Sequence, residues 1–320
     1  SLSCAASAST LFVYAHTPYW WMFVMFSMIG GLGAGAIDAG INTYVAKCHS
    51  ERMMQWLHAS FGVGITSGPV IMTLGISMTS RWQSGYLVVS ITIAILAAIF
   101  FVTKGMWEGI TENGSEEHLP ETDAPLLGTL KTLPAQLSML IFFLYTGVEL
   151  GLGLWAYTLL TESRGVDPQT AGFVTGSYWG MFTIGRLLAG LYARKIGGKK
   201  LIYLSVFMAL SGIALLLTNT GQLTSILGIG VAGFAIAPIF PGLVSSTTSR
   251  VGISHQANTI GMQMAAAGFG TLVVPSLAGV LAKIYGLEVI PPYLLMVLLL
   301  MLLVFAGLHL NSKKLGLNID

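Results

Sequence analysis

The chain has 320 residues, of which 54% are hydrophobic and only 9% charged. Soluble domains carry roughly 25% charged residues, so this chain cannot cover a water-facing surface, and the composition excludes a soluble enzyme or regulator. A net charge of +2 gives no basic surface for nucleic acid.

A membrane-spanning helix needs about 20 mainly apolar residues. Ten such stretches are predicted, at 1–15, 19–46, 53–78, 82–103, 135–160, 168–193, 200–218, 222–247, 256–283 and 290–310. The expected class is therefore an all-α polytopic membrane protein. Between the fourth and fifth stretches, residues 104–133 break the pattern. Six acids, Glu108, Glu112, Glu116, Glu117, Glu121 and Asp123, fall there, and the segment reads as a solvated linker. The expected organisation is an N-terminal bundle over 1–103, a linker over 104–133 and a C-terminal six-helix bundle over 134–320. The sequon Asn113-Gly114-Ser115 lies in the linker and is read as chance.

Positive charge orients a membrane protein, because loops rich in Lys and Arg stay in the cytoplasm. One set of alternate loops holds Lys47, Arg52, Lys104, Lys131, Arg194, Lys195, Lys199, Lys200, Arg250, Lys313 and Lys314. The other holds Arg81 and Arg164, with Lys283 near a helix end. The linker and C-terminus are expected in the cytoplasm, with the chain in a plasma membrane such as the bacterial inner membrane.

Two acids stand apart from the rest, since only Asp38 and Glu149 fall deep inside apolar stretches. A charged group at the bilayer centre costs at least about 2.5–3.5 kcal/mol, so an acid there marks a polar cavity or a partner. Desolvation disfavours the charged form of carboxyls in general, the condition a proton carrier exploits. Both are candidate proton-coupling residues; the bland reading is a hydrogen-bonded acid tying helices together. Asn42 follows Asp38 by four residues, so the two share a helix face, and Asn42 could bind a hydroxylated solute or another helix. Tyr157 lies eight residues after Glu149, close to the same face, and Trp155 six; both are candidate substrate contacts or ordinary packing. Tyr178 and Gln263 are further candidate cavity residues. Arg186, with a stem long enough to snorkel, and the loop residues Arg194 and Lys195 are read as gating residues. His58 is read as a packed, hydrogen-bonded histidine, with a proton relay as the alternative, and Cys4 and Cys48 as structural.

Gly228-Ile-Gly230-Val-Ala-Gly233 spells a dinucleotide-binding pattern. It lies inside an apolar stretch with no preceding strand, so it is read as a helix-packing surface. No zinc spacing, P-loop or nucleophile elbow is present, and no cofactor, metal or enzymatic activity is expected.

The apolar stretches also repeat. LGAGAIDAGIN (32–42) aligns with AGFAIAPIFPG (232–242), and Gly62, Gly64 and Pro69 recur as Gly268, Gly270 and Pro275. Two parallel repeats joined by a polar linker resemble the organisation of the major facilitator family. GLYARKIGGK (190–199) resembles that family's cytoplasmic loop motif, with Arg194 where the family has Asp and Gly198 where it often has Arg. GLGAGAIDAGINTY (31–44), LHASFGVGITSGP (57–69) and AGFAIAPIFPGLVSSTTSRVG (232–252) resemble the fourth, fifth and tenth helices of fucose permeases. There an acid precedes Asn by four residues; Asp38 replaces Glu, Asn42 matches, and Thr43 stands where Pro often follows. The resemblance implies twelve helices in the whole fold, so two and part of a third are expected to precede Ser1. It also implies a monomeric carrier working by alternating access, with protons and a small polar solute as partners. Asp38 then inherits a role in coupling and binding, whereas Glu149 inherits none and rests on its burial. A drug or metabolite exporter of the same fold, or a non-transporting sensor, are the other readings.

Overall fold

A computed structural model describes residues 1–105 and 124–314. The acid-rich centre of the expected linker, with its sequon, lies outside the described residues. Helices α1 (Leu2–His16), α2 (Trp20–Cys48), α3 (Glu51–Thr79) and α4 (Gln83–Val102) precede that segment. After it come a short α5 (Leu126–Leu130), α6 (Leu133–Thr158), α7 (Pro168–Ile196), α8 (Gly198–Thr218) and α9 (Gln222–Ile236). The chain ends with α10 (Ile239–Ser245), α11 (Thr247–Val251), α12 (Gln256–Tyr285) and α13 (Ile290–Lys314). Each of the ten expected stretches is helical, and seven of the helical segments are long and apolar enough to cross a membrane among the described residues.

Local chemistry sets the helix ends. The Asp167 side chain accepts from the Thr170 backbone N–H at 3.0 Å, capping α7, and Pro168 fills the first turn, where its missing N–H costs nothing. Arg194 and Lys195 occupy the last turn of α7, where positive charge suits the exposed carbonyls. Gly197, with φ of +81°, then turns the chain directly into α8. One expected helix is two. Residues 222–247 break after Ile236, because Pro238 and Pro241 each lack the N–H that would continue the ladder.

The contacts divide the chain into two compact units, residues 1–41 with 64–122, and residues 42–63 with 123–320. The division departs from a simple cut at the linker. The C-terminal end of α2 and the N-terminal end of α3 pack with the second unit.

In the first unit small residues let helices meet closely. A Cβ on Gly33 would lie 2.7 Å from the Ser3 carbonyl oxygen, and one on Gly75 would lie 2.9 Å from the Gly85 nitrogen. Hydroxyls stitch the same contacts. Ser90 Oγ donates to the Ala8 carbonyl at 2.8 Å, and Thr10 Oγ1 to the Phe26 carbonyl at 3.1 Å.

The second unit is built around α6. Thr146 Oγ1 donates to the Ala267 carbonyl at 2.9 Å, joining α6 to α12, and Trp155 Nε1 donates to the Pro275 carbonyl at 2.9 Å further along the same contact. At the end of α6 a π-turn over Leu159–Ser163 leads to Arg164. Its guanidinium grips Glu288 through Nε at 3.0 Å and Nη2 at 2.7 Å, and donates to Ser225 Oγ and the Leu216 carbonyl. One side chain thereby holds the ends of four segments. Residues just after the undescribed segment dock on the start of α12. Asn258 Nδ2 donates to the Ala124 carbonyl at 2.6 Å, and Thr129 Oγ1 meets His255 Nδ1 at 2.9 Å.

Candidate functional site

The break between α9 and α10 organises a polar centre inside the second unit. A proline at position 241 has no N–H for the carbonyl of residue 237, so the Ala237 oxygen needs another donor. Arg186 of α7 supplies it from Nε at 3.2 Å. Its Nη1 donates to the His58 carbonyl of α3 at 3.0 Å, and its guanidinium carbon lies 4.0 Å from the Phe182 ring centroid. Arg186 is only 2% exposed. Two more side chains take carbonyls at the same break: Tyr145 donates to Ile236 at 3.1 Å and Gln55 Nε2 to Pro238 at 3.2 Å. Gly185, next to Arg186, lets the Phe234 carbonyl approach so closely that no Cβ fits between them.

Glu149 lies one turn after Tyr145 on α6. Its Oε2 is buried with no hydrogen-bond partner. The Arg186 guanidinium and the Tyr145 hydroxyl both act on its charge. The Tyr178 hydroxyl donates to the Glu149 backbone carbonyl at 2.7 Å. The structure thus brings Glu149, Arg186, Tyr145 and Tyr178 into one cluster. Such an arrangement can hold or release a proton on Glu149 beside a fixed positive charge.

The other candidates separate. Asp38 is exposed and belongs to the first unit, whereas Asn42, one turn further, is 1% exposed and belongs to the second. Asn42 Oδ1 accepts from His58 Nε2 at 2.8 Å, tying α2 to α3. His58 is a packed, hydrogen-bonded histidine, as its sequence context indicated. Trp155 is a helix tie whose ring lies against Gly279, while Tyr157 is 41% exposed. Tyr178 is fully buried, its ring against Gly233. Gln263 is fully buried as well; its Oε1 accepts from Thr247 Oγ1 at 3.2 Å, and its Nε2 has no partner. Arg194 and Lys195 are exposed at the end of α7, apart from Arg186, which is deep in its core.

Tyr145 and Gln55 escaped the sequence reading. Tyr145 had one available signal, its place four residues before Glu149, which puts both on one helix face. Gln55 had none, because its partner exists only where the helix breaks.

The Major Facilitator Superfamily profile matches residues 1–218 and 137–316. The chain is 23% identical over 292 residues to the Saccharomyces cerevisiae "Bypass of stop codon protein 6", covering 82% of this chain and 59% of the yeast protein. It is 23% identical over 328 residues to the human "Sodium-dependent glucose transporter 1", covering 89% of this chain and 61% of the human one. The chain therefore spans about three-fifths of the length of these relatives. In fold it is similar to the crystal structure of the E. coli fucose:proton symporter FucP, with a TM-score of 0.68 at 14% identity, over 96% of this chain and 84% of that one. With a family profile that takes in both compact units and a fold shared with a solved carrier, the chain belongs to the Major Facilitator Superfamily.

Proposed function

We propose that this chain belongs to a secondary active transporter that moves a small polar solute, a sugar, by proton-coupled alternating access. The observation that carries the reading is Glu149, a carboxylate with an unpartnered buried oxygen held beside Arg186 in an apolar helix. An intramembrane acid is costly to desolvate, and the Tyr145 hydroxyl and the Arg186 cation beside this one leave its Oε2 without a hydrogen bond. Tyr178, on its backbone carbonyl, helps fix its surroundings. The names of the human relative, a glucose transporter, and of FucP, a fucose:proton symporter, support a sugar as solute. Asp38, exposed in the first unit, is proposed as the second proton-linked acid. Tyr157 and Gln263 are proposed to meet the solute, the latter through its unused amide. Asn42, Trp155 and Tyr178 are proposed to keep that site in shape through the hydrogen bonds they make. The Lys- and Arg-rich loops, with Arg194 and Lys195, are proposed to face the cytoplasm and to gate that side.

The full chain in proteoliposomes tests this, with radiolabelled glucose and fucose as probes under an imposed pH gradient or sodium gradient. Uptake driven by the pH gradient, collapsed by a protonophore and lost in Glu149→Gln while solute exchange persists, is the expected result. Uptake driven by sodium alone, or coupled uptake unchanged in Glu149→Gln, overturns the proton reading.

A further inference from the structure

The first half of α3 is seated on the second unit by a row of close contacts. Gln55 Nε2 donates to the Pro238 carbonyl at 3.2 Å, and the His58 carbonyl accepts from Arg186 at 3.0 Å. The Trp56 ring lies so near Gly190 of α7 that no Cβ fits between them, and Gly62 faces Thr183 of α7 just as closely. One residue at the end of this row does not suit its place. Glu51, in the first turn of α3, is pressed against Gly198 at the start of α8, where a Cβ would lie 2.8 Å from Oε1. That oxygen is buried and has no hydrogen-bond partner. Buried polar atoms in native proteins are nearly always paired.

The surroundings do not compensate its charge. Glu51 shares a cavity of about 260 Å³ with His49, which precedes α3, Lys199 of α8, Arg250 of α11 and His309 of α13. Arg52, the next residue on its own helix, turns to Trp56, with its guanidinium carbon 4.3 Å from the ring centroid. Among the described residues Glu51 makes no ion pair. A buried carboxylate without a partner keeps its desolvation cost, whereas a neutral carboxyl escapes most of it. Burial accordingly pushes the Glu51 carboxyl up to about 7. The ionised group gains water only by lifting the first turns of α3 away from the start of α8.

We propose that Glu51 is a pH-sensitive catch: protonated, it lets the start of α3 seat against the start of α8, and ionised, it favours release of those turns into water. Seating weakens as pH rises from about 4.5 to about 7, because the seated form binds the proton more tightly than the released form. Residues 64–79 of the same helix belong to the other compact unit, so the catch acts on the first half of α3. In the carrier proposed above, α3 starts on the side of the Lys- and Arg-rich loops, and a low pH there would hold that side shut. This last step rests on the transport reading; the catch itself does not.

Hydrogen–deuterium exchange of the full chain in detergent, read by mass spectrometry on peptides covering residues 51–63, tests the catch. Between about pH 5 and about pH 7.5, exchange there should rise roughly threefold or more beyond the chemical rise in the amide exchange rate, while peptides from α6 follow the chemical rate alone. Glu51→Gln keeps a neutral group of the same shape and leaves His49, Lys199, Arg250 and His309 in place, so it should abolish the excess. No excess in the original chain, or an excess that persists in Glu51→Gln, overturns the proposal. An equal excess in α6 overturns it as well, since the whole unit would then be loosening. Solute uptake plays no part in this measurement, so failure of the catch and failure of the transport reading are separate results.

Discussion

Arg186 donates from Nε to the carbonyl of Ala237, the oxygen that Pro241 leaves without its helical partner. A break in one helix is thereby satisfied by a cation from another, and the same cation stands beside Glu149. Structure and chemistry meet in this one side chain. Arg186→Ala should leave the Ala237 carbonyl unsatisfied and open a cavity against Phe182, at a combined cost of about 3 kcal/mol. Arg186→Lys should recover only part of that loss, since one ammonium cannot reach the carbonyls of both Ala237 and His58 and stack flat on Phe182. Thermal midpoints from detergent-solubilised chain check this. A lysine variant as stable as the original would show that the fork geometry is unimportant.

Asp38 gives the opposite expectation. It is exposed on α2, and Asn keeps the size and shape of the Asp side chain. Asp38→Asn should therefore reach the membrane and melt as the original does, while proton-coupled uptake in proteoliposomes falls at least tenfold. Full coupled uptake in that variant would remove Asp38 from the coupling scheme and leave Glu149 alone.

These two residues also mark what could be read from sequence. The ten apolar stretches were legible as helical, because long apolar runs suit a bilayer; the break after Ile236 and the short α5 and α11 were not. Asp38 and Glu149 were legible for the same reason, as exceptions in those runs. Helix periodicity also puts Asn42 on the face of Asp38. The hydrogen bond from His58 to Asn42 was not legible, because it depends on how the next helix packs. Arg186 was legible as a cation near the motif loop, but its long stem suggested snorkelling to the interface, whereas the structure buries it. Its partner was hidden, because Pro238 and Pro241 had to break the helix before a carbonyl came free. The cavity beside Arg250 was invisible too, since it joins Glu51, Lys199 and Arg250 from three distant parts of the chain.

The glycine pattern at 228–233 yields a graded test. Residues 222–236 form a helix, and two glycines of the pattern sit at close helix contacts. A Cβ on Gly228 would lie 2.8 Å from the Gly212 carbonyl oxygen, and one on Gly233 would lie 2.6 Å from the Tyr178 carbonyl oxygen. Backbone cannot give way as a side chain can. A Cβ on Gly230 meets nothing within 4 Å. Gly228→Ala and Gly233→Ala should each cost about 1–3 kcal/mol through forced helix separation. Gly230→Ala should be neutral or slightly stabilising, since Ala is the better helix former by about 1 kcal/mol. Three thermal midpoints decide it; a uniform response across the three positions would contradict the packing geometry.

Glu51 makes stability depend on pH in an unusual direction. Burial raises its carboxyl from 4.5 to about 7 in the folded chain. Between those values the folded state binds more protons than the unfolded state, so stability falls as pH rises through that window. Below about 4.5 the penalty is absent, and above about 7 it is complete and constant. Glu51 is part-exposed, and after allowance for solvent screening the penalty is about 1–2 kcal/mol. Arg250, Lys199, His49 and His309 share its cavity. The Glu51→Gln variant isolates the carboxyl, because it leaves those four side chains in place. Its thermal midpoint should exceed that of the original at pH above about 7 and converge with it as pH falls towards about 4.5. A constant offset between the two curves across the whole window would show that Glu51 does not titrate there.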